Sequence, residues 1–359
     1  MPLPSIPEYS TSIKTPQLVR PSVLDGGHPI EKGVRIIKYS GGFCVVFPYE
    51  TPQKKYAVRC WHAEIADAKY RSKIISEALE KSNLPYFVGF SYFEDGIMTQ
   101  QGIQPIVVME WVNAQGLKKF LAENISYPQR IEEVAENFKR MVSELHKCSF
   151  SHGDLQHGNI MVKEDCSLVL VDYDSMYVPA LKGMTDEIKG LVGYQHKARW
   201  KNEYVTEKAD YFSELIIYLS LRALAKYPHL WQELNIENTE TLLFSAEDLD
   251  SLGQAHIFDF LKRDVDLESM TTKLCEYLNK DSIEEFEPLE SILISQANKI
   301  SVKWKSNGYT SKPIETKIVD SQNISSKWIK GNGYNRACKE KQQLEELKSS
   351  ISSKFNKTE

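Results

Sequence analysis

The stretch "EKADYFSELIIYLSLRALAKYP", residues 207–228, constrains the fold more than any other part of the chain. Its apolar residues recur around nearly the whole helical circumference instead of along one stripe. A helix of that kind is stable only when other elements wrap it. The centre of a helical domain is therefore expected here. Candidates for the wrapping lie upstream, where "QGLKKFLAENI" and "YPQRIEEVAENFKRMVSELHKCSF" carry apolar residues at intervals of three and four. Further helices are expected to about residue 296. Two short strands, in "NIMV" and "LVLVDYD", stand on either side of "KEDCS".

Before residue 113 the period changes. "VRIIKYS", "FCVVFPY" and "YAVRCW" read as strands, separated by Gly-Gly and by "ETPQKK". "HAEIADAKYRSKIISEALEK" reads as a helix that Asn83 and Pro85 end. "YFVGFSYFEDGIM" and "QPIVVMEWV" read as two more strands. The expectation is five strands with one helix inserted after the third. The proline-rich residues 1–33 read as an irregular lead-in.

Composition narrows the class. The 359 residues are 42% hydrophobic and 26% charged, an ordinary globular balance. No run of about 18 apolar residues occurs, so no membrane span is expected, and the start does not read as a signal peptide. The cysteines at 44, 60, 148, 166, 275 and 338 form no CxxC spacing, so reduced core thiols are expected in place of a zinc site. That pattern fits a cytoplasmic protein. The net charge of −5 is uneven: from Lys299 onward 13 Lys/Arg stand against 6 Asp/Glu, a net of +7, which leaves −12 for the rest. The basic tail contains two similar elements, "KWKSNGY" and "KWIKGNGY", with Trp304 and Trp328, and a final helix is expected over 336–355. The tail either docks on the acidic body through these Trp residues or reaches a partner.

Residues 151–162, "SHGDLQHGNIMV", put His152, Asp154 and Asn159 just ahead of the acidic pair in "LVLVDYDSMYV". Phosphate chemistry gives the spacing a reason. A transferring phosphoryl group needs its nucleophile oriented and its oxygens neutralised by Mg2+, and Mg2+ takes only one or two oxygen ligands from protein. An Asp at the head of a loop accepts the nucleophile's proton, an Asn five residues on reaches the metal, and a second Asp on the next hairpin completes the set. Asp154, Asn159 and Asp172 fit those roles. Read as ordinary turn residues, the three would have no reason to fall in register together. His152 reads as a core histidine that supports the loop.

These residues resemble the protein-kinase superfamily. "HGDLQHGN" is similar to the H-R-D-L-x-x-x-N catalytic loop, and "DYD" stands where D-F-G would stand. "YSGGFCVVF" resembles a shortened Gly-rich loop, with Gly41 and Gly42 over the phosphates. "YAVR" resembles the V-A-I-K strand, and "VVMEWV" the gatekeeper and hinge, with Met109 as gatekeeper and Glu110, Trp111 and Val112 as hinge. "GYQHKAR" sits where an activation segment would end, and Asp210 matches the Asp that opens the buried central helix. The resemblance covers roughly residues 34–296. It implies an α+β, two-lobed protein-kinase-like fold, with a small antiparallel-sheet N-lobe over 34–112, a larger helical C-lobe over 113–296 and a tail over 297–359. It also implies ATP, with adenine between Ala57 and Met161, and Mg2+ on Asn159 and Asp172. The implied catalytic set is Asp154, Asn159 and Arg59.

The departures are specific. The phosphate-clamping Lys is Arg59, which is planar and forked. Its Glu partner on the following helix is Glu77 at best, and Ile75 stands nearest the expected position. The Arg of H-R-D is Gly153, the catalytic-loop Lys is Gln156, and the third D-F-G residue is Asp174. "HGD" with "DYD" is also similar to aminoglycoside and choline kinases. Three functions are therefore weighed: a slow, atypical Ser/Thr protein kinase, which the 172–199 stretch favours; a small-molecule kinase; and a pseudokinase that binds nucleotide or partners. A protein substrate or regulatory partner is expected, and nucleic acid is not.

Overall fold

Alternation along four strands determines which side chains face the interior of the first lobe. The structure, a computed structural model, describes residues 3–63 and 67–295. Strands β5 (Cys44–Glu50), β6 (Lys55–Trp61), β8 (Gly102–Glu110) and β7 (Phe90–Thr99) pair antiparallel in that order. β1 (His28–Pro29) and β4 (Tyr39–Ser40) both pair with β5, while β2 (Glu31–Lys32) and β3 (Arg35–Ile36) form a separate hairpin. Successive strand side chains point to opposite faces. Val45, Phe47 and Tyr49, then Tyr56, Val58 and Cys60, then Ile106 and Val108, make one buried face. Val46, Ala57, Arg59 and Met109 lie between them and line a cleft on the other face. The register Ala57↔Met109 and Arg59↔Val107 fixes this, and a one-residue slip of β6 would turn Arg59 out of the cleft.

The apolar outer face needs cover, and the lead-in supplies it. Helix α1 (Ile6–Ile13) starts at Ser5, whose hydroxyl accepts the Glu8 N–H at 3.4 Å, with a proline in the first turn. Tyr9 and Ile13, with Val19 and Leu24 beyond them, pack into the same cluster as the sheet. The Tyr9 hydroxyl donates to the Trp61 carbonyl at 3.0 Å. Each large side chain buried there contributes roughly 1.5–3 kcal/mol before ordering costs. This corrects the irregular reading of 1–33. Proline breaks a helix interior but suits its first turn, and Ile6, Tyr9 and Ile13 recur at helical spacing.

Two further boundaries differ from expectation. Residues 34–40 form two short strands, β3 and β4, and not one. Helix α2 (Ala68–Ser82) begins later than residue 62, and residues 64–66 lie outside the described residues. Its end is as expected: Asn83 takes the left-handed φ of 52° that Asn tolerates after a helix.

The second lobe is built on the wrapped helix. In α5 (Tyr211–Lys226), 13 of 16 residues are buried, which agrees with its apolar circumference. α4 (Pro128–Lys147) and α9 (Glu268–Leu278) pack on it. β9 (Gln115–Gly116), which precedes α3 (Leu117–Asn124), pairs with β10 (Ile160–Val162), and β10 pairs with β11 (Leu168–Leu170). Among the described residues no helix is long and apolar enough to cross a membrane. Cys44, Cys60, Cys148, Cys166 and Cys275 are free thiols. The 297 boundary, both Trp elements and the helix expected over 336–355 lie outside the described residues.

Candidate active site

The loop between α4 and β10 is held from below. His152 is fully buried, and its Nε2 donates to the Val171 carbonyl at 2.9 Å. Asp210, at the start of α5, accepts the His152 N–H and the Gly153 N–H, the latter at 2.9 Å. Gly153 has a φ of +78°, and a Cβ there would overlap the Ser175 carbonyl oxygen. The departure from Arg is thus a steric requirement of this backbone.

Asp154 and Asn159 form one unit above that support. Asn159 Nδ2 donates to the Asp154 carbonyl at 2.8 Å and to its Oδ2 at 3.1 Å. Those bonds leave Oδ1 as the Asn159 side-chain acceptor. Asp154 Oδ1 accepts the Leu191 N–H at 2.9 Å. Burial pushes the Asp154 carboxyl above the usual carboxylate range against this bond, and the Asp172 charge adds to the rise. The Gln156 side chain is turned back on the loop, with its Oε1 accepting the Gly158 N–H at 2.7 Å.

A cavity of about 480 Å3 lies between the lobes next to this unit. Gly41, Gly42, Ala57, Arg59, Met109, Glu110, Trp111, Val112, Met161 and Asp172 all line it. The residues singled out for nucleotide contact therefore converge, although they come from both lobes. Asp154 and Asn159 are not among the lining residues. They stand beside it, joined to its floor by the Val171 N–H, which donates to the Asn159 carbonyl at 3.0 Å. Val112 lines the cavity just past the end of β8, where the ladder closes with the Trp111 N–H donating to the Lys55 carbonyl at 2.9 Å.

Asp172 follows at a φ of +65°, a region Asp tolerates. Its side chain is 55% exposed because it faces the open cavity, while protein crowds its other sides. That crowding, with the neighbouring Asp174 charge, raises its carboxyl, and Arg59 works in the opposite direction. Asn159 Oδ1 and the Asp172 carboxylate are hard oxygen donors of the kind Mg2+ selects, so the residues present fit that cation. Between the two acids Tyr173 is locked. Its hydroxyl donates to the Leu170 carbonyl at 2.7 Å and accepts the Val88 N–H at 3.0 Å.

Arg59 does not meet the helix acid expected of it. Its side chain is 7% exposed and forms an ion pair through Nη2 with Asp174 Oδ2, while Nη1 stands 3.8 Å from Asp172 Oδ1. Glu77 is exposed and Ile75 is buried in the core. α2 instead contributes Arg71, which donates to the carbonyls of Thr185 at 3.1 Å and Asp174 at 3.3 Å. Sequence reasoning noted Arg59 and Asp174 as separate departures. Their opposite charges were the available signal, but they lie 115 positions apart.

Arg199 stands in the sequence only as the end of "GYQHKAR", with no role assigned to it. It is 1% exposed, and its guanidinium donates to the Gly153 carbonyl, to Gln195 Oε1 at 2.5 Å, and to both Asp186 oxygens at 3.3 and 3.4 Å. One side chain thus ties the 186–195 segment to the catalytic loop.

A sheet lobe over a helical lobe, with a paired Asp–Asn loop at the mouth of the cleft between them, defines a phosphotransferase of the kinase type. The family model for the protein kinase domain matches residues 40–281, and the chain belongs to the protein-kinase superfamily. No curated protein matches the chain.

Proposed function

We propose that the chain is a slow Ser/Thr protein kinase that transfers the γ-phosphoryl group of ATP to a protein hydroxyl. The observation that carries this reading is the Asp154–Asn159 unit beside a cavity lined by Asp172, Arg59 and the Gly41–Gly42 turn. Adenine enters between Ala57 and Met161 and contacts the backbone of Glu110 to Val112. Asp154 orients the acceptor hydroxyl and receives its proton as the new O–P bond forms. The bond between the β,γ-bridging oxygen and the γ-phosphorus breaks, and ADP leaves with the electron pair. Mg2+ held by Asn159 and Asp172 would neutralise phosphate charge. Arg59 offers a guanidinium edge to the phosphates.

A protein acceptor is favoured over a small molecule by the stretch after Asp174. From 175 to 196 it contains one short 3-10 turn, Pro179–Leu181, and no inserted helices that would wall a small substrate. Slow turnover follows from Gln156, which puts no cation beside Asp154. One lost charge contact at a transition state costs about a hundredfold or more. A second reading, a nucleotide-binding pseudokinase, draws on the Leu191 N–H that occupies Asp154 Oδ1. The test is incubation of the purified chain with γ-labelled ATP and mixed protein substrates, with and without Mg2+. Label transfer that needs Mg2+ and disappears in Asp154→Asn is expected. Nucleotide binding without any transfer would leave the pseudokinase reading standing.

A further inference from the structure

Among the described residues, Arg59 pairs with Asp174 where no acid of α2 meets it. Helix α2 has no acid on the Arg59 side: Glu77 faces solvent and Ile75 is packed in the core. Arg59 is nonetheless deeply buried, and a buried charge needs a partner. Its partner is Asp174, from the turn that also carries Asp172. A guanidinium has two edges and can serve two anions in one plane, which an ammonium cannot do in fixed geometry. Nη2 serves Asp174. Nη1 lies 3.8 Å from Asp172, beyond hydrogen-bond distance, and the residue lines the cavity.

We infer that Asp174 is the positioning residue for Arg59, holding one edge of the guanidinium so that the other is presented to the nucleotide phosphates. This rests on the nucleotide reading above and goes beyond it, because it assigns the anchor of the clamp to the 172–174 turn and not to α2. α2 then acts on the clamp only at second hand. Arg71 fixes the backbone carbonyl of Asp174 and so steadies the residue that steadies Arg59. Phosphate binding is accordingly insensitive to acids on α2.

The test compares ATP and adenosine binding to the full chain in Mg2+ by calorimetry, with thermal melting as the fold control. Asp174→Ala is expected to weaken ATP binding on the order of tenfold to a hundredfold, the range for one charged hydrogen bond. Adenosine has no phosphates, and its affinity is expected to stay unchanged. Asp174→Glu should recover part of the loss, and Glu77→Ala should have no effect. In the Arg59→Ala background, Asp174→Ala should cost little more. Equal loss of ATP and adenosine would mean a collapsed cleft and would overturn the pairing. So would full ATP affinity in a folded Asp174→Ala chain. A wild-type chain that binds neither ligand overturns the nucleotide reading and this inference with it.

Discussion

In the proposed reaction Asp154 accepts a proton, in a setting that favours its protonated form. Burial leads the upward shift, and the charge of Asp172 adds to it. A base works only when ionised, so transfer should rise with pH on the acid side. The midpoint should lie above the ordinary carboxylate value of 3.8. Asp172 is raised as well, and the two acids interact, so the midpoint belongs to the pair. Initial rates across the acid range at saturating ATP measure it. A limb at or below 3.8 would show that neither raised acid governs the rate. Gly153 shows how local this design is. Two residues from His152 to Asp154 need a glycine between them because the Ser175 carbonyl lies where a side chain would stand.

The junction of α4, α5 and the helical turn at 289–295 carries a buried charge of its own. His146 of α4 bonds Glu214 of α5 at 2.8 Å through Nε2 and Glu290 at 3.0 Å through Nδ1. Burial opposes a charged imidazole, but the two carboxylates outweigh it and raise its pKa from 6.5 to about 10. Burial also pushes Glu214 up. The ion pair is still the better description, because both ring nitrogens face a carboxylate and both need a proton to bond it. A raised histidine stabilises the fold fully below its unfolded value of 6.5 and loses that contribution as pH climbs through about 10. Stability from denaturant unfolding should therefore decline between those values. His146→Ala should lose about 3 kcal/mol at neutral pH, the cost of leaving the buried Glu214 carboxylate without its partner. It should also flatten the decline. A variant as pH-dependent as the wild type would assign the effect elsewhere.

Between the lobes, the molecule depends on how the 175–199 segment is held. Gly153 has no side chain with which to read a phosphate on that segment. Arg199 takes up the linking role from the other side, and its anion is the built-in carboxylate of Asp186, which Lys189 also approaches at 3.2 Å. A permanent acid makes a phosphoryl group unnecessary for order. Phosphatase treatment should thus leave the rate unchanged, while Arg199→Ala should lower it strongly along with stability. A large loss on phosphatase treatment would mean that a phosphorylated residue, and not Asp186, orders the segment.

Periodicity and motif spacing determined a good deal here without coordinates. The wrapped helix α5 and the antiparallel strands were legible because each is a local pattern: a hydrophobic period or a turn signal. Asp154, Asn159 and Asp172 stand out in the sequence by fixed offsets, and their roles belong to the proposed reaction. The residues that line the cavity were named from the order of motifs that resemble a kinase, and strand alternation accounts for the placement of Val46, Ala57, Arg59 and Met109 on the cleft face. The lead-in was misread because its prolines, weighed by count, hid a helix whose first turn accommodates one. Pairing across the chain needed the three-dimensional arrangement. That Arg59 takes Asp174 and not Glu77, and that Arg199 reaches the Gly153 carbonyl, depends on distances between segments far apart in sequence. A charge in a sequence states what it needs, a partner of opposite sign, and only packing decides which partner lies within reach.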